Sequence, residues 1–297
     1  MSQFKSQTGI SPDWKNVFLK VFMLLEILQN IVTEKKRLGV PDPVIKNYLK
    51  EYLQYPVLDF IYNGQEYNNF IFIGGSCLRI CFAGPRLSED LDFDLPVEAW
   101  EKFDLNIFAE KIATVFRTKY LLPVEIKTQS NYRVYLKFPI LKSLGLAGER
   151  ESDFLFVKIE PNLSRFPVKA IEKTPIAKFG YNFMVNNYKL PFLMVGKIGA
   201  MFQRLWFKGD ENGIDIKGRD WFDFFWYLQN KVEPDWNILQ ELVGVISKED
   251  LKNKVLDLID KKVTAQKLAF DLKNFFPEQM FVETFCKNYK DLIKKYL

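Results

Sequence analysis

Apolar positions recur at helical spacing near the start of the chain. Trp14, Val17, Phe18, Val21, Leu24, Leu25 and Leu28 follow one another at intervals that gather them on one side of a helix. Ser11-Pro12-Asp13 supplies the start, with Ser as N-cap and Pro at the first helical position, and Gly39 with Pro41 marks the end. A second helix is predicted from about Val44 to Tyr62. At Phe70-Ile71-Phe72-Ile73 the pattern changes to a short, wholly apolar run, the pattern of a buried strand, which stops at Gly74-Gly75-Ser76. A short apolar helical stretch (Leu78, Ile80, Phe82) and a polar loop from Gly84 to Glu89 come next. Asp90 to Leu95 alternates strictly, so it reads as a strand with one polar face. A helix over Glu98–Arg117 and strands near 123–127, 132–138 and 154–160 follow. Beyond Pro191 the spacing is almost wholly helical. The expected fold class is therefore α/β (α+β) and bilobed: an N-terminal mixed sheet with leading helices in residues 1–190, and a C-terminal helical domain in 191–297.

Composition narrows the chemistry. The 297 residues are 48% apolar, enough for a sizeable core, and they contain no histidine. Ser-His-Asp and Cys-His nucleophiles, His-ligated zinc and a His general base are all excluded. Catalysis must use carboxylates, lysines, hydroxyls and a borrowed metal ion. Cys77, Cys81 and Cys286 form no CxxC pair and no even framework, which suits a reduced, cytoplasmic protein. No apolar run reaches the ~18 residues a membrane span needs, and no secretory leader is evident. Acids and bases balance in residues 1–162, so the net charge of +5 lies entirely in the remainder. That bias fits an anionic partner, and equally a solvated face.

In Asp90-Leu91-Asp92-Phe93-Asp94-Leu95 the leucines and phenylalanine share one face and the three aspartates the other. Carboxylates this close raise one another's pKa unless a cation sits between them, and oxygen donors on a rigid strand suit Mg²⁺. An isolated Asp-x-Asp is more simply an exposed edge strand. The Gly-Gly-Ser upstream changes that balance. Glycines let the backbone approach an anion, amides at a helix start point toward it, and the Ser76 hydroxyl can add a donor. Strand, Gly74-Gly75-Ser76, short helix, loop and Asp90-x-Asp92 strand together predict a triphosphate site. No GxxxxGK[ST] or GxGxxG is present.

On Phe154-Leu155-Phe156-Val157-Lys158-Ile159-Glu160, Lys158 and Glu160 share the polar face, and Glu160 could complete a metal cluster or act as a general base. After Pro191, Val195, Ile198, Phe202 and Leu205 form an apolar stripe, while Lys197, Arg204 and Lys208 form a basic one. That arrangement could bring Lys197 to the triphosphate. Asp220 and Asp223 share a face of the following helix, where acids also simply favour the helix dipole.

The segments FIGGSCLRICFAGPRLSEDLDFDL (within 70–95), FVKIE (156–160), KIGAMFQR (197–204) and RDWFDFFWYL (219–228) occur in one order. Together they resemble the motifs of the AbiEii/AbiGii-type toxins, MenT-like toxins among them, within the DNA-polymerase-β-like nucleotidyltransferase superfamily. The resemblance covers roughly residues 70–230. It implies a bilobed toxin of a toxin–antitoxin or phage-defence operon, with a nucleotidyltransferase domain in residues 1–190. The family's Gly-Ser falls on Gly75 and Ser76, its Asp-x-Asp on Asp90 and Asp92, and its nucleotide-contacting lysine on Lys197. The aspartate of its Arg-Asp motif falls on Asp220. The serine before the Asp-x-Asp, phosphorylated in some members, falls on Ser88. The resemblance further implies NTP as substrate, the 3′ end of tRNA as acceptor and a separate antitoxin that also represses the operon. The connection from Arg204 to Arg219, with Lys208-Gly209-Asp210-Glu211-Asn212-Gly213, is longer and more polar than the family pattern. A mobile lid, an accessory substrate contact and a plain surface loop are all open there.

The expected reaction is in-line transfer of a nucleoside monophosphate from NTP to a hydroxyl, blocking translation and growth. Asp90, Asp92 and Glu160 would hold two Mg²⁺ ions, and Gly75, Ser76, Ser88 and Lys197 would contact the nucleotide. The alternatives are a kinase-like toxin that phosphorylates protein, and a catalytically silent NTP-binding partner protein.

Overall fold

The computed structural model describes residues 13–130, 132–204 and 214–297. The proposed start of the first helix at Ser11-Pro12, the side chains of Trp14, Val17, Phe18 and Val21, Leu205 and the Lys208–Gly213 connection lie outside what is described.

Two long helices lead the chain, α1 (Asp13–Arg37) and α2 (Asp42–Asn63). Leu24 and Leu28 are buried, but Leu25 is 41% exposed, so the apolar face of α1 is narrower there than the spacing predicts. Next come β1 (Ile71–Ile73), α3 (Gly74–Cys81), β2 (Asp90–Leu95), α4 (Val97–Trp100) and α5 (Leu105–Lys119). The helix expected over Glu98–Arg117 is thus two helices. Asp104 separates them, its carboxylate accepting from the amides of Asn106 and Ile107 at 2.8 and 3.0 Å to cap α5. The strands β3 (Glu125–Gln129), β4 (Arg133–Pro139) and β5 (Phe154–Leu163) follow as predicted.

A hairpin absent from the sequence reading, β6 (Ile171–Lys178) and β7 (Tyr181–Tyr188), completes a seven-stranded mixed sheet in the order β3-β4-β5-β2-β1-β7-β6. Pro175 within β6 and three asparagines in β7 mask its alternation. The proline is tolerated because β6 is an edge strand. β1, short and apolar, is central. It runs antiparallel to β2 and parallel to β7, while β2 runs parallel to β5. In that register Asp90 lies opposite Lys158 and Asp92 opposite Glu160. Leu91, Phe93 and Leu95 are buried, so a one-residue slip would drive the aspartates into the core.

The remainder is helical: α6 (Leu190–Gln203), α7 (Gly218–Gln229), α8 (Trp236–Val243), α9 (Lys248–Lys262), α10 (Ala265–Leu272) and α11 (Gln279–Tyr296). One apolar cluster extends from α1 through the sheet to these helices. Near the site, the Leu87 amide donates to the Phe275 carbonyl at 3.0 Å, and the Asn47 side chain donates to the Asn274 carbonyl at 2.8 Å. No helix among the described residues is long and apolar enough to cross a membrane.

Candidate active site

The turn from β1 into α3 lies against the aspartate strand so closely that only glycine fits. Gly74 has φ of +77°, and a Cβ there would overlap the Asp92 carboxylate. A Cβ on Gly75 would overlap the Arg86 guanidinium and crowd the Ser88 hydroxyl at 2.9 Å. Ser76 has a different place from the one expected. It is fully buried, its hydroxyl donates to the Asp90 carbonyl, and it does not line the cavity beside it. Its donor is used to tie α3 to the start of β2.

A cavity of about 520 Å³ opens between the polar face of the sheet and helices α6 and α7. Gly75, Ser88, Asp90, Asp92, Glu160, Lys197 and Asp220 all line it, which is every predicted site residue except Ser76. The carboxylates meet different surroundings. Asp90 is ion-paired with Lys158 at 2.8 Å. Glu160 is engaged by Arg133 and, at 3.3 Å, by Lys158. Burial would raise the Glu160 carboxyl, but those two cations outweigh it and hold it below its usual range. Asp94 accepts from the Tyr188 hydroxyl at 3.0 Å, and burial pushes it up to about 6. The Asp92 carboxylate makes no hydrogen bond or ion pair among the described residues. Burial, with Asp90 and Glu160 beside it, pushes its carboxyl up to about 7 against the pull of Lys217 and Lys158.

A half-buried carboxylate short of positive charge fits a cation, and the all-oxygen donor set fits a hard one. Among the described residues no group of three acidic, Cys or His side chains is gathered to hold an ion. The residues present therefore offer two carboxylates, Asp90 and Asp92. This is the form in which Mg²⁺ is commonly bound, its remaining ligands being water and substrate phosphate. Glu160, the expected third ligand, pairs with Arg133 and Lys158, as Asp90 does with Lys158.

The unpartnered carboxyl predicts a pH dependence. Folded Asp92 and Asp94 hold protons that the unfolded chain releases near pH 4, so metal-free stability falls as pH rises from about 4 to 7. Asp92→Asn should flatten that slope and stabilise the metal-free protein at pH 8 by about 1–3 kcal/mol, less than the full shift because water screens part of it. Urea denaturation at pH 5 and pH 8 measures it. An unchanged slope would mean that Asp92 is not so strained.

The opposite wall is a ladder of charge. Lys197, largely buried, reaches both Asp220 and Asp223 at 2.8 Å. Arg86 holds Asp223 through two parallel bonds of 2.5 and 2.6 Å, and Arg204 holds Asp220 at 2.7 Å. Burial would lower the Lys197 ammonium, but Asp220 and Asp223 raise it. Burial likewise would raise Asp220, yet Lys197 and Arg204 hold it well below the carboxylate range. Beyond it Arg219 bonds Glu89 at 2.9 Å and Asp271 at 3.2 Å, and Lys50 holds Glu89 at 3.0 Å. Burial opposes ionisation of Glu89, but Lys50 and Arg219 bring it to about 2.

Sequence reasoning missed Lys217. It precedes α7 and lines the cavity, and its ammonium has no hydrogen bond or ion pair among the described residues. Burial and the neighbouring Arg219 push its ammonium down, with Asp220 pulling the other way. No local motif marks it. Only its place between the two walls sets it apart.

No protein of curated function matches the chain significantly. Among solved structures it is similar to JHP933 from Helicobacter pylori, at 15% identity and TM-score 0.46 over 82% of this chain and 90% of that one. It is similar also to a provisionally assigned nucleotidyltransferase from H. pylori, at the same identity and TM-score over 82% of this chain and 92% of that one. Likeness at that distance assigns nothing. The family profile described as "Nucleotidyl transferase AbiEii toxin, Type IV TA system" matches residues 58–297, a span that holds the glycine turn, the aspartate strand and the charge ladder alike. The chain belongs to the AbiEii nucleotidyltransferase toxins of type IV toxin–antitoxin systems.

Proposed function

We propose that the protein transfers a nucleoside monophosphate from NTP to the 3′-terminal hydroxyl of tRNA in the cytoplasm, in a Mg²⁺-dependent reaction that halts translation until a separate antitoxin opposes it. The carrying observation is the placement of Asp90 and the unpartnered Asp92 on one wall of a cavity whose other wall is cationic. The hydroxyl oxygen bonds to the α-phosphorus, the bond to the β-bridging oxygen breaks, pyrophosphate leaves, and the hydroxyl proton passes to solvent. Asp90 and Asp92 would hold Mg²⁺, which when bound neutralises phosphate charge and makes the hydroxyl a better nucleophile. The amides at the start of α3, the Ser88 hydroxyl and Lys217 bind the β- and γ-phosphates. Lys197, clamped by Asp220 and Asp223, positions the wall and lends it positive charge. Glu160 orients Lys158 beside Asp90. The proposed metal-holding carboxylates lie in a domain over 1–190, while Lys197 and Lys217 come from one over 191–297.

Incubation with bulk tRNA and Mg²⁺, using each NTP labelled in turn at the α- or γ-phosphate, tests the reaction. Label entering RNA from the α-position only is expected. Label reaching protein from the γ-position only would make the chain a kinase, and no transfer would leave it a nucleotide-binding partner. Lys217→Met should raise the KM for NTP by about tenfold or more with a smaller change in kcat, while Lys217→Arg keeps most affinity. Initial rates across NTP concentrations decide this, and an unchanged KM would remove Lys217 from the phosphates.

A further inference from the structure

The sheet face that carries the carboxylates continues past them to the edge at β3, bordered beside Phe156 by a cleft that residues of α2, α7 and α10 also line. The opposite face of β4 is closed, with Val134, Leu136 and Phe138 fully buried. On the open face the register aligns side chains in rows across the strands. One row runs Lys127, Tyr135, Lys158, Asp90 from the edge to the cavity. The neighbouring row carries Lys137 and Phe156. At about 4.8 Å per strand, Tyr135 stands roughly 10 Å from Asp90.

These side chains are not those of an ordinary solvated face. Phe156 is 39% exposed and meets the Tyr135 ring edge-on at 6.3 Å. Tyr132 is 40% exposed beneath the Arg133 guanidinium, and Lys137 lies 4.0 Å over the Phe154 ring. Arg133 also lies 6.0 Å from the Tyr135 ring. Partly exposed rings interleaved with cations on a sheet face suit unpaired bases that stack and phosphates that need neutralising. Outside the β2 aspartates, Lys127, Arg133, Lys137 and Lys158 stand with Glu125 and Glu160 on these strands, and the cleft beside Phe156 adds Lys46, Lys50 and Arg219 against Glu89, Glu151 and Asp271, so cations are in excess for a polyanion.

We infer that this face seats the unpaired 3′ end of a polynucleotide acceptor, its bases stacked on Tyr135 and Phe156, its phosphates near Lys127 and Lys137, and its terminal hydroxyl delivered to Asp90 and Asp92. The inference rests on the nucleotidyl-transfer reading of the same site and adds the path by which the acceptor reaches it. A duplex end cannot use the rings, so the site selects frayed or single-stranded termini.

Fluorescence anisotropy of a 5′-fluorescein 12-nucleotide oligoribonucleotide, alone or annealed to its complement, tests the seat without turnover. The wild type should bind the single strand more tightly than the duplex. The double variant Tyr135→Ala/Phe156→Ala should lose about 10- to 100-fold in single-strand affinity and keep NTP binding, while Tyr135→Phe/Phe156→Tyr stays near the wild type. Unchanged affinity in the alanine variant overturns the inference, as does a wild type that binds no oligonucleotide, which would give the face to a protein partner. Should the alanine variant lose NTP binding too, Lys127→Glu on the exposed edge decides: about tenfold weaker binding supports the seat and no change overturns it. Ring-dependent binding without nucleotide addition would sink the transfer reading alone. Addition to RNA at the wild-type rate by the alanine variant would sink the seat alone.

Discussion

Asp92→Ala and Asp90→Ala each lower nucleotidyl transfer by at least about a thousandfold and leave the chain folded, because the charge they supply is used on the transferring phosphate and not in the core. The two should separate in stability. Asp92 has no partner among the described residues, and burial pushes its carboxyl up to about 7, so its removal relieves the metal-free fold. Asp90 is paired with Lys158 at 2.8 Å, so its removal leaves a half-buried ammonium with only Glu160. Activity with labelled NTP, read beside urea denaturation, gives both answers. A folded Asp92→Ala variant with more than about a tenth of the wild-type rate would falsify the role assigned here.

The second large effect is on stability. Asp223→Ala should cost about 3–5 kcal/mol, since it strips Arg86 of a buried two-bond partner and Lys197 of one of its two carboxylates. The guanidinium of Arg86 also lies against Gly75, so the phosphate seat should loosen and activity fall with it. Asp223→Asn, which keeps an acceptor, should lose less. Chemical denaturation of the three proteins checks the order. Equal midpoints for wild type and the alanine variant would mean the pairs contribute little.

The aspartate strand, the glycine turn and the division into a mixed sheet and a helical remainder are legible in the chain because each is written locally. Alternation places Asp90 and Asp92 on one face, and a glycine pair before a helix limits what can lie beside it. What depends on distant partners is not legible. Ser76 looks free to meet a phosphate until its hydroxyl is seen on the Asp90 carbonyl. Asp220 and Asp223 at the start of α7 suit the helix dipole, and only the approach of α6 turns them into a clamp on Lys197. The same approach leaves Lys217 as the unpaired cation among the described cavity residues. The β6–β7 hairpin is hidden because the proline of β6 is admissible only at the edge position that the finished sheet assigns it, and the asparagines of β7 break its alternation.

The two walls of the cavity come from segments far apart in the chain, and the loop that leads into the aspartate strand is held by residues more than a hundred positions later: Arg86 by Asp223, Glu89 by Arg219. During synthesis the carboxylates therefore emerge from the ribosome long before anything exists to face them. A nascent chain, or one cut short by a stop codon ahead of α7, carries the aspartates without their counterpart. For a toxin built this way, harm begins only once translation has passed α7. Almost any nonsense or frameshift lesion upstream of that point is enough to disarm it.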